Sequence, residues 1–248
     1  MLPLQQMRKI CLLFILAATF AALSGCRADS ASQHSSTMDS GTTNQPSLTD
    51  PNPPSTTPTQ TPANDHRPLI VCFGDSLTAG LGTDPGQSYP DYLQADLDAK
   101  GYHYRVVNEG ISGNTTKDGV ERLNTILALH PAVVIVEFGG NDGLRGLPIS
   151  DSRANLDHIV QTLKSSGTKV VLAGITLPPD YGPDYIKQFT DTYTVISNKY
   201  HVPLLPFLLQ NVFGVEGMMQ HDRTHATAAG NKIVATNVLP FVQPLLRK

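Results

Sequence analysis

Beyond Pro68 the chain alternates short apolar runs, rich in β-branched residues, with longer amphipathic stretches. This alternation is typical of parallel sheets, because each crossover between parallel strands needs a connection long enough to hold a helix. The sequence therefore predicts an α/β fold, a three-layer α/β/α sandwich around a five-stranded parallel sheet. The predicted strands cover residues 69–73, 104–108, 133–138, 169–174 and 202–207, and the predicted helices cover residues 89–100, 116–130, 152–166, 184–200 and 226–246.

Residues 1–25 have the features of an export signal. Two basic residues precede an apolar stretch from Ile10 to Leu23, which is short for a bilayer span and has the length of a signal-peptide core. Leu23-Ser24-Gly25-Cys26 resembles the cleavage box of bacterial lipoproteins, so we expect Cys26 to carry lipid. The alternative is an ordinary secretory signal cut nearby. Because Arg27 rather than an Asp follows the cysteine, the outer membrane is favoured in a cell with two membranes.

Residues 26–67 are rich in Ser, Thr and Pro and nearly free of aliphatic side chains, so we expect a disordered tether beyond the lipidated cysteine. A stalk for O-linked sugars is the alternative. Residues 68–248 form the predicted folded domain. Cys72 lies inside a strand pattern and is expected to be buried rather than reactive. The formal net charge of −3, without a Lys/Arg cluster, argues against nucleic acid as a partner.

Residues able to perform nucleophilic chemistry follow the predicted strands. Ser76 comes after the first strand in Gly74-Asp75-Ser76-Leu77, and Asp222 and His225 lie three positions apart near the other end of the chain. A carboxylate at that spacing can orient the imidazole that activates a serine. Two glycine-containing loops, residues 110–114 and 139–141, follow strands two and three. The carboxyl ends of parallel strands share one edge, so we expect the three loops to meet there.

In their order and spacing, these blocks resemble the four sequence blocks of the SGNH (GDSL) hydrolases, in particular the branch of bacterial thioesterase I, lysophospholipase L1 and arylesterases. The resemblance implies a flavodoxin-like domain without a cofactor. It also implies a serine esterase for acyl or aryl esters, with thioesters and lysophospholipids as possible further substrates. The implied catalytic residues are Ser76, Asp222 and His225, and the implied oxyanion donors are the backbone N–H groups of Ser76 and Gly113 and the side-chain amide of Asn141.

Several of these residues have plainer alternatives. Ser76 could be only a helix cap, and Asn141 only a turn residue. Asp75 is interpreted as a bracing carboxylate, and Asp142 as a bracing or capping one. His221 competes with His225 for Asp222, although an adjacent residue faces a neighbour less readily. One departure from the family pattern is an alanine directly after His225, where many members have proline.

The substrate is predicted less closely than the chemistry. By resemblance, residues 143–148 and 177–182 form a mobile loop and its facing wall, so Leu144, Leu177 and Tyr181 are candidates for an acyl pocket. The alternatives are an O-acetylesterase for envelope polysaccharide or peptidoglycan and a non-catalytic lipid- or glycan-binding lipoprotein. No His-x-x-x-His or Cys-x-x-Cys spacing predicts a metal site. The expected partners are a small-molecule ester and, through Cys26, the membrane of the bacterial cell envelope.

Overall fold

The computed structural model describes residues 65–248. The predicted export signal, the lipidated Cys26 and nearly all of the predicted tether lie outside the described residues. No described helix is long and apolar enough to cross a bilayer.

Five parallel strands form one sheet in the order β2-β1-β3-β4-β5. This order, with the first strand between the second and the third, is that of a flavodoxin-like sheet, so the predicted fold class is confirmed. The strands are β1 (Leu69–Gly74), β2 (Arg105–Gly110), β3 (Val133–Glu137), β4 (Lys169–Ala173) and β5 (Leu204–Leu205).

The central strands are apolar because helices cover both faces of the sheet. All five residues of β3 are buried, and so are residues 70–74 of β1. Continuous apolar runs are expected for parallel strands covered on both sides. Cys72 is fully buried in this layer, and burial raises the pKa of its thiol to about 12, as expected for an unreactive core residue.

Seven helices are present in the described part of the chain, and they pack in two groups. Helices α2 and α7 contact each other, whereas α3, α5 and α6 form a second packed row. These groups supply the outer layers of the α/β/α sandwich. The helices are α1 (Ser76–Ala79), α2 (Tyr89–Ala99), α3 (Thr116–Ala128), α4 (Gly140–Leu144), α5 (Ile149–Ser165), α6 (Pro183–Tyr200) and α7 (Ala228–Val242).

The predicted element boundaries differ from the structure where side chains cap or shorten an element. Helix α7 begins at Ala228 rather than at position 226, because the side chain of Thr227 accepts a hydrogen bond from the N–H of Gly230 and caps the helix. Strand β5 has only two residues instead of the predicted six. A helix was expected after strand one, but its bounds were not predicted, and helix α4 was not predicted at all, since four or five residues are too few for a helical hydrophobic period to be recognised.

The carboxyl edge of the sheet gathers the loops that carry the candidate site. In the register of the sheet, Gly74 at the end of β1 lies beside Gly110 of β2 and Glu137 of β3. A side chain at Gly110 would collide with the backbone of Ala79, so glycine permits the close approach of β2 to helix α1. The loops that follow β1, β2 and β3 are distant in sequence but therefore meet at one edge of the sheet, as the strand pattern predicted.

Candidate active site

Ser76 lies on the sharp turn between β1 and α1. Asp75 is the N-cap of the helix, and its side chain accepts a hydrogen bond from the N–H of Leu77 at 3.0 Å. Ser76 therefore does not act as the cap, which removes the simplest structural role for its hydroxyl. The residue before the turn, Gly74, has no room for a β-carbon because the side chains of Thr78 and Glu137 pack against it. These contacts fix the direction in which the turn presents Ser76.

Ser76, His225 and Asp222 form a continuous hydrogen-bonded chain. The Oγ atom of Ser76 lies 2.8 Å from Nε2 of His225, and Nδ1 of His225 lies 2.6 Å from Oδ2 of Asp222. The structure thus brings together the three residues that the sequence singled out. In this geometry the carboxylate faces one ring nitrogen and the serine hydroxyl faces the other, as nucleophile activation requires.

Electrostatics assign the proton on the His225 ring. Partial burial acts to raise the pKa of Asp222, but hydrogen bonds from the His225 ring and from the backbone N–H groups of His225 and Thr224 outweigh it and lower that pKa to about 2. Asp222 is therefore an anion at neutral pH and accepts from Nδ1–H. This leaves Nε2 of the neutral imidazole free to accept the proton of the Ser76 hydroxyl.

The contacts of Asp222 distinguish between the two nearby histidines. Its Oδ1 atom accepts from the backbone N–H groups of Thr224 and His225, and its Oδ2 atom faces the His225 ring. Both oxygens are thus directed towards His225 rather than His221. Asp75, the other acid near the serine, instead accepts from Asn141.

The loop that carries His225 is held by backbone pairing. The N–H of Gln220 donates to the carbonyl of His225 at 2.8 Å, and Met219 forms an antiparallel bridge with Ala226. The side-chain amide of Gln220 also donates to the carbonyl of Leu81, at 2.7 Å, and to that of Ala226. These bonds fix the loop although Ala226 replaces the proline of many family members. No sequence pattern indicated the role of Gln220, because its partners include a residue 139 positions away.

The candidate oxyanion donors lie around the same opening. Gly113 has φ +83°, a conformation that glycine adopts without strain, and the guanidinium of Arg145 donates to its carbonyl at 2.9 Å. Asn141 lies on α4, and its Nδ2 atom donates to Oδ2 of Asp75 at 3.0 Å and to the carbonyl of Asn114 at 2.9 Å. Both amide protons of Asn141 are therefore engaged within the protein. A substrate oxyanion would have to share or replace the contact to Asn114.

Asp142 braces the segment that carries Asn141. Its carboxylate accepts from the backbone N–H of Thr116 at 2.9 Å and from the hydroxyl of Ser152 at 3.0 Å. These bonds connect α4 to the starts of α3 and α5, in agreement with the bracing role inferred from the sequence.

A cavity of about 320 Å³ opens directly beside Ser76. Gly113, Asn141 and His225 line it together with Leu144 and Leu177 from the two predicted acyl-pocket segments. Ser76 thus lies beside a predominantly apolar space large enough for an acyl chain. Pro178, in the predicted facing wall, also lines the cavity. Sequence reasoning missed five further apolar lining residues, which follow β1, β4 and β5: Leu77, Leu81, Ile175, Phe207 and Phe213.

Tyr181, the third candidate for the acyl pocket, is not among the residues that line this cavity. Its ring stacks on that of Tyr185, with centroids 6.2 Å apart, and its hydroxyl donates to the carbonyl of Leu144 at 2.9 Å. The phenol thus connects segment 177–182 with the backbone of segment 143–148, outside the cavity. Its contribution to the pocket is therefore to hold Leu144.

Within residues 65–248, no cluster of three or more His, Cys, Asp or Glu side chains is arranged to hold a metal ion. The arrangement at the sheet edge can supply a nucleophile, a general base and an anion-binding site from the protein alone.

Comparison with known proteins agrees with this geometry. The sequence model of the GDSL-like Lipase/Acylhydrolase family matches residues 72–233, which is more than half of the chain. The chain belongs to this family. Membership in the GDSL-like lipase/acylhydrolase family confirms the predictions of an SGNH hydrolase and of a serine enzyme acting on ester bonds, and the envelope deacetylase and non-catalytic alternatives are not favoured.

Proteins from two bacteria are similar to this chain over most of the described domain. Esterase TesA of Pseudomonas aeruginosa is 44% identical over 178 residues, which are 71% of this chain and 89% of the relative. Thioesterase 1/protease 1/lysophospholipase L1 of Escherichia coli K12 is 34% identical over 178 residues, or 71% of this chain and 84% of the relative. A crystal structure of TesA superposes with a TM-score of 0.70 at 44% identity and covers 72% of this chain and 99% of the other.

Proposed function

We propose that Ser76 is the nucleophile of an esterase that works through an acyl-serine intermediate. His225 accepts the Ser76 proton at Nε2 as Oγ attacks the ester carbonyl, and it returns that proton to the leaving alcohol. Asp222 stabilises the imidazolium that forms in between. In the second step His225 accepts a proton from a water molecule as that water attacks the acyl carbonyl; the bond to Ser76 Oγ then breaks, the carboxylic acid leaves, and His225 returns the proton to Oγ. The observation that carries this proposal is the Ser76–His225–Asp222 hydrogen-bonded chain, with its 2.8 and 2.6 Å contacts, beside an apolar cavity.

The tetrahedral intermediate carries a negative oxygen, for which three donors are in reach of the cavity. We assign the backbone N–H groups of Ser76 and Gly113 and the amide of Asn141 to this role. Removing one such donor typically lowers the rate by about 10²- to 10³-fold, so the set accounts for a large share of the catalytic effect. Arg145 supports Gly113 by binding its carbonyl, which holds the peptide that follows it in place.

The cavity favours esters with an apolar acyl part. Leu81, Leu144 and Phe213 line its rim and remain more than 40% exposed, whereas Leu177 lines its interior and is buried. Exposed apolar groups at an opening are suited to cover a chain that enters from solvent. Medium-length acyl or aryl esters are the proposed substrates. Thioesters and lysophospholipids are proposed as further substrates because one relative is named for both activities.

The test is hydrolysis of p-nitrophenyl acetate, butyrate and octanoate by the full chain and by Ser76→Ala. We expect the wild type to be active and kcat/KM to rise from acetate to octanoate, because each buried methylene contributes about 0.8 kcal/mol. Preference for acetate alone would instead favour an acetylesterase. Equal inertness of the wild type and Ser76→Ala would contradict the proposed function.

We further propose that the protein is an exported lipoprotein, anchored in the cell envelope through Cys26. The support is the apolar stretch of residues 10–23, followed directly by the Leu23-Ser24-Gly25-Cys26 box. Radiolabelled palmitate should be incorporated into the wild type and not into Cys26→Ala, which should leave the membrane fraction. Cys72→Ala is the matched control, because its thiol is buried in the sheet and should not carry lipid. Membrane association of Cys26→Ala would contradict the anchor.

A further inference from the structure

Glu137 places a carboxyl group inside the sheet, beneath the turn that presents Ser76. It ends the otherwise apolar strand β3, is fully buried and lies beside Gly74 in the register of the sheet. Its side chain interacts with that of Asp75, which is only 2% exposed, and its Oε2 atom accepts from the backbone N–H of Asp75 at 3.2 Å. Two carboxylates in contact in a water-free site cannot both be ionised at low cost, so the pair must share a proton. The proposed triad and oxyanion donors make no use of this proton.

The surrounding donors show which oxygen carries the proton. The Oε2 atom of Glu137 accepts from the hydroxyl of Thr78 at 2.8 Å and from the backbone N–H of Asp75 at 3.2 Å. On Asp75, Oδ1 accepts from the N–H of Leu77 and Oδ2 accepts from the amide of Asn141. Among the described residues, no donor faces the buried Oε1 atom of Glu137. Because buried polar atoms are nearly always paired, Oε1 is the oxygen that should bear the proton.

We propose that Glu137 is a positioning residue that stays protonated at neutral pH and donates its Oε1–H to the carboxylate of Asp75. Asp75 thereby remains an acceptor in a site from which water is excluded. One of its oxygens holds the first turn of α1 behind Ser76, and the other holds the amide of Asn141. Through Asp75, the proton on Glu137 thus connects the turn that carries Ser76 with the oxyanion donor Asn141, which lies 66 positions after Asp75.

The direction of the acid–base equilibria agrees with this placement. Burial raises the pKa of Glu137 well above its usual value and raises that of Asp75 to about 6. Both shifts favour the protonated form, in agreement with a proton that is retained within the pair. The other titratable groups that interact with the pair are His225 at the site and the phenols Tyr89 of α2 and Tyr193 of α6. Burial raises the pKa of both phenols, so they stay neutral.

Two substitutions distinguish the hydrogen bonds that the side chain of residue 137 makes from the space that it fills. Glu137→Gln keeps an acceptor for Thr78 and an N–H donor for Asp75 but has no proton to lose. Glu137→Met fills similar space without either group.

The inference rests on the proposed function, since Asn141 matters here as an oxyanion donor. We expect Glu137→Met to lower kcat on p-nitrophenyl butyrate by about tenfold to a hundredfold, because misplacing an oxyanion donor loses part of the rate effect of removing it. KM should change less than threefold.

Glu137→Gln is expected to recover at least tenfold of the kcat lost in Glu137→Met, because the donor to Asp75 is restored. A merely structural role would instead lower the amount of folded protein, which circular dichroism reports, and would leave kcat per folded molecule unchanged. Equal kcat in the two folded variants, whether both are impaired or both resemble the wild type, would overturn the proposal.

Infrared spectroscopy of the full chain tests the proton directly and does not depend on activity or on the folding of Glu137→Met. At neutral pH the wild type should show the carbonyl stretch of a protonated carboxyl group, and Glu137→Gln should lack it. No such band in the wild type, or a band that persists in Glu137→Gln, would overturn the proposal. An inactive wild type that shows the band would contradict the proposed function and leave the protonation of Glu137 supported.

Discussion

The Nε2 atom of His225 lies 2.8 Å from the Oγ atom of Ser76, although the two residues are 149 positions apart in the chain. The contact arises because β1 ends at the serine turn while the loop before α7 folds back to the same edge of the sheet. Asp222, three positions before the histidine, completes the chain of hydrogen bonds without any further long-range packing.

Asp222→Asn should lower kcat by about 10²- to 10⁴-fold with little change in KM. The amide cannot stabilise an imidazolium, and it favours the histidine tautomer that no longer accepts the serine proton. Steady-state kinetics on p-nitrophenyl butyrate measure the effect. Asp180→Asn, at an exposed carboxylate outside the cavity, is the matched control and should behave as the wild type. Activity of Asp222→Asn within threefold of the wild type would contradict the triad.

Gly113→Ala should impair turnover through the backbone rather than by steric exclusion. A β-carbon there would meet only the guanidinium of Arg145, at 3.8 Å, but φ of +83° costs an alanine about 1 kcal/mol and turns the peptide away from its present direction. We expect kcat to fall about tenfold or more.

Gly167→Ala is the matched control for this substitution. Gly167 has φ +84° and open space around it, and it precedes β4, at the edge of the sheet opposite the site. Chemical denaturation should show a similar loss of stability in both variants, with kcat reduced only in Gly113→Ala. Equal kcat values in the two variants would exclude an oxyanion role for the Gly113 peptide.

Phe213→Ala should reduce the preference for longer acyl chains. Phe213 lines the rim of the cavity and packs edge-to-face on Phe207, with ring centroids 6.1 Å apart. Loss of its contact with two methylenes should lower the octanoate-to-acetate ratio of kcat/KM about tenfold, at about 0.8 kcal/mol for each methylene. Val195→Ala, at an equally exposed apolar side chain on α6 away from the cavity, should leave the ratio unchanged. An unchanged ratio in Phe213→Ala would remove Phe213 from the acyl site.

The buried carboxyl pair predicts how stability depends on pH. Burial raises the pKa values of Asp75 and Glu137 above those of the unfolded chain, so the folded state binds more protons. Their contribution to stability is therefore fully present below the unfolded values, near pH 4, and is lost as the pH rises through the folded values, from about 6 upwards. Between about pH 5 and about pH 8 the free energy of unfolding should therefore fall, by about 1 kcal/mol for the shift of Asp75 alone.

Urea denaturation at the two pH values measures this slope. Glu137→Gln should show a smaller decrease than the wild type, because one of the two ionisations is gone. Asp180→Asn should retain the slope of the wild type. A stability that rises with pH over this range, or an unchanged slope in Glu137→Gln, would contradict the linkage.

The sequence predicted those parts of the site that follow strands. Ser76 and Asn141 come directly after the apolar runs of β1 and β3, so the rule that ligands bind at the carboxyl edge of a parallel sheet was sufficient to group them. The apolar pattern also located both central strands within one or two residues. Only the residue spacing was needed to pair Asp222 with His225, because an acid and an imidazole three positions apart can meet within one loop.

Contacts between distant positions were not predictable from the pattern. Glu137 pairs with Thr78 and Asp75, which are 59 and 62 positions earlier, and no local periodicity marks such a pair. Phe213 contributes to the cavity only because β5 ends after two residues and the following chain turns over the sheet edge. Tyr181 was assigned to the pocket from its loop, but the direction of its side chain depends on the carbonyl of Leu144 across the gap.

Covalent labelling tests most directly whether Ser76 is the nucleophile. The full chain is treated with a fluorophosphonate, and the modified residue is identified by mass spectrometry alongside the residual esterase activity. We expect one adduct, on Ser76, that forms in proportion to the loss of activity. Ser76→Ala should form no adduct, and Ser150→Ala, a substitution of an exposed serine, should be labelled normally. Inactivation with the adduct on another residue, or full esterase activity in Ser76→Ala, would contradict this role of Ser76.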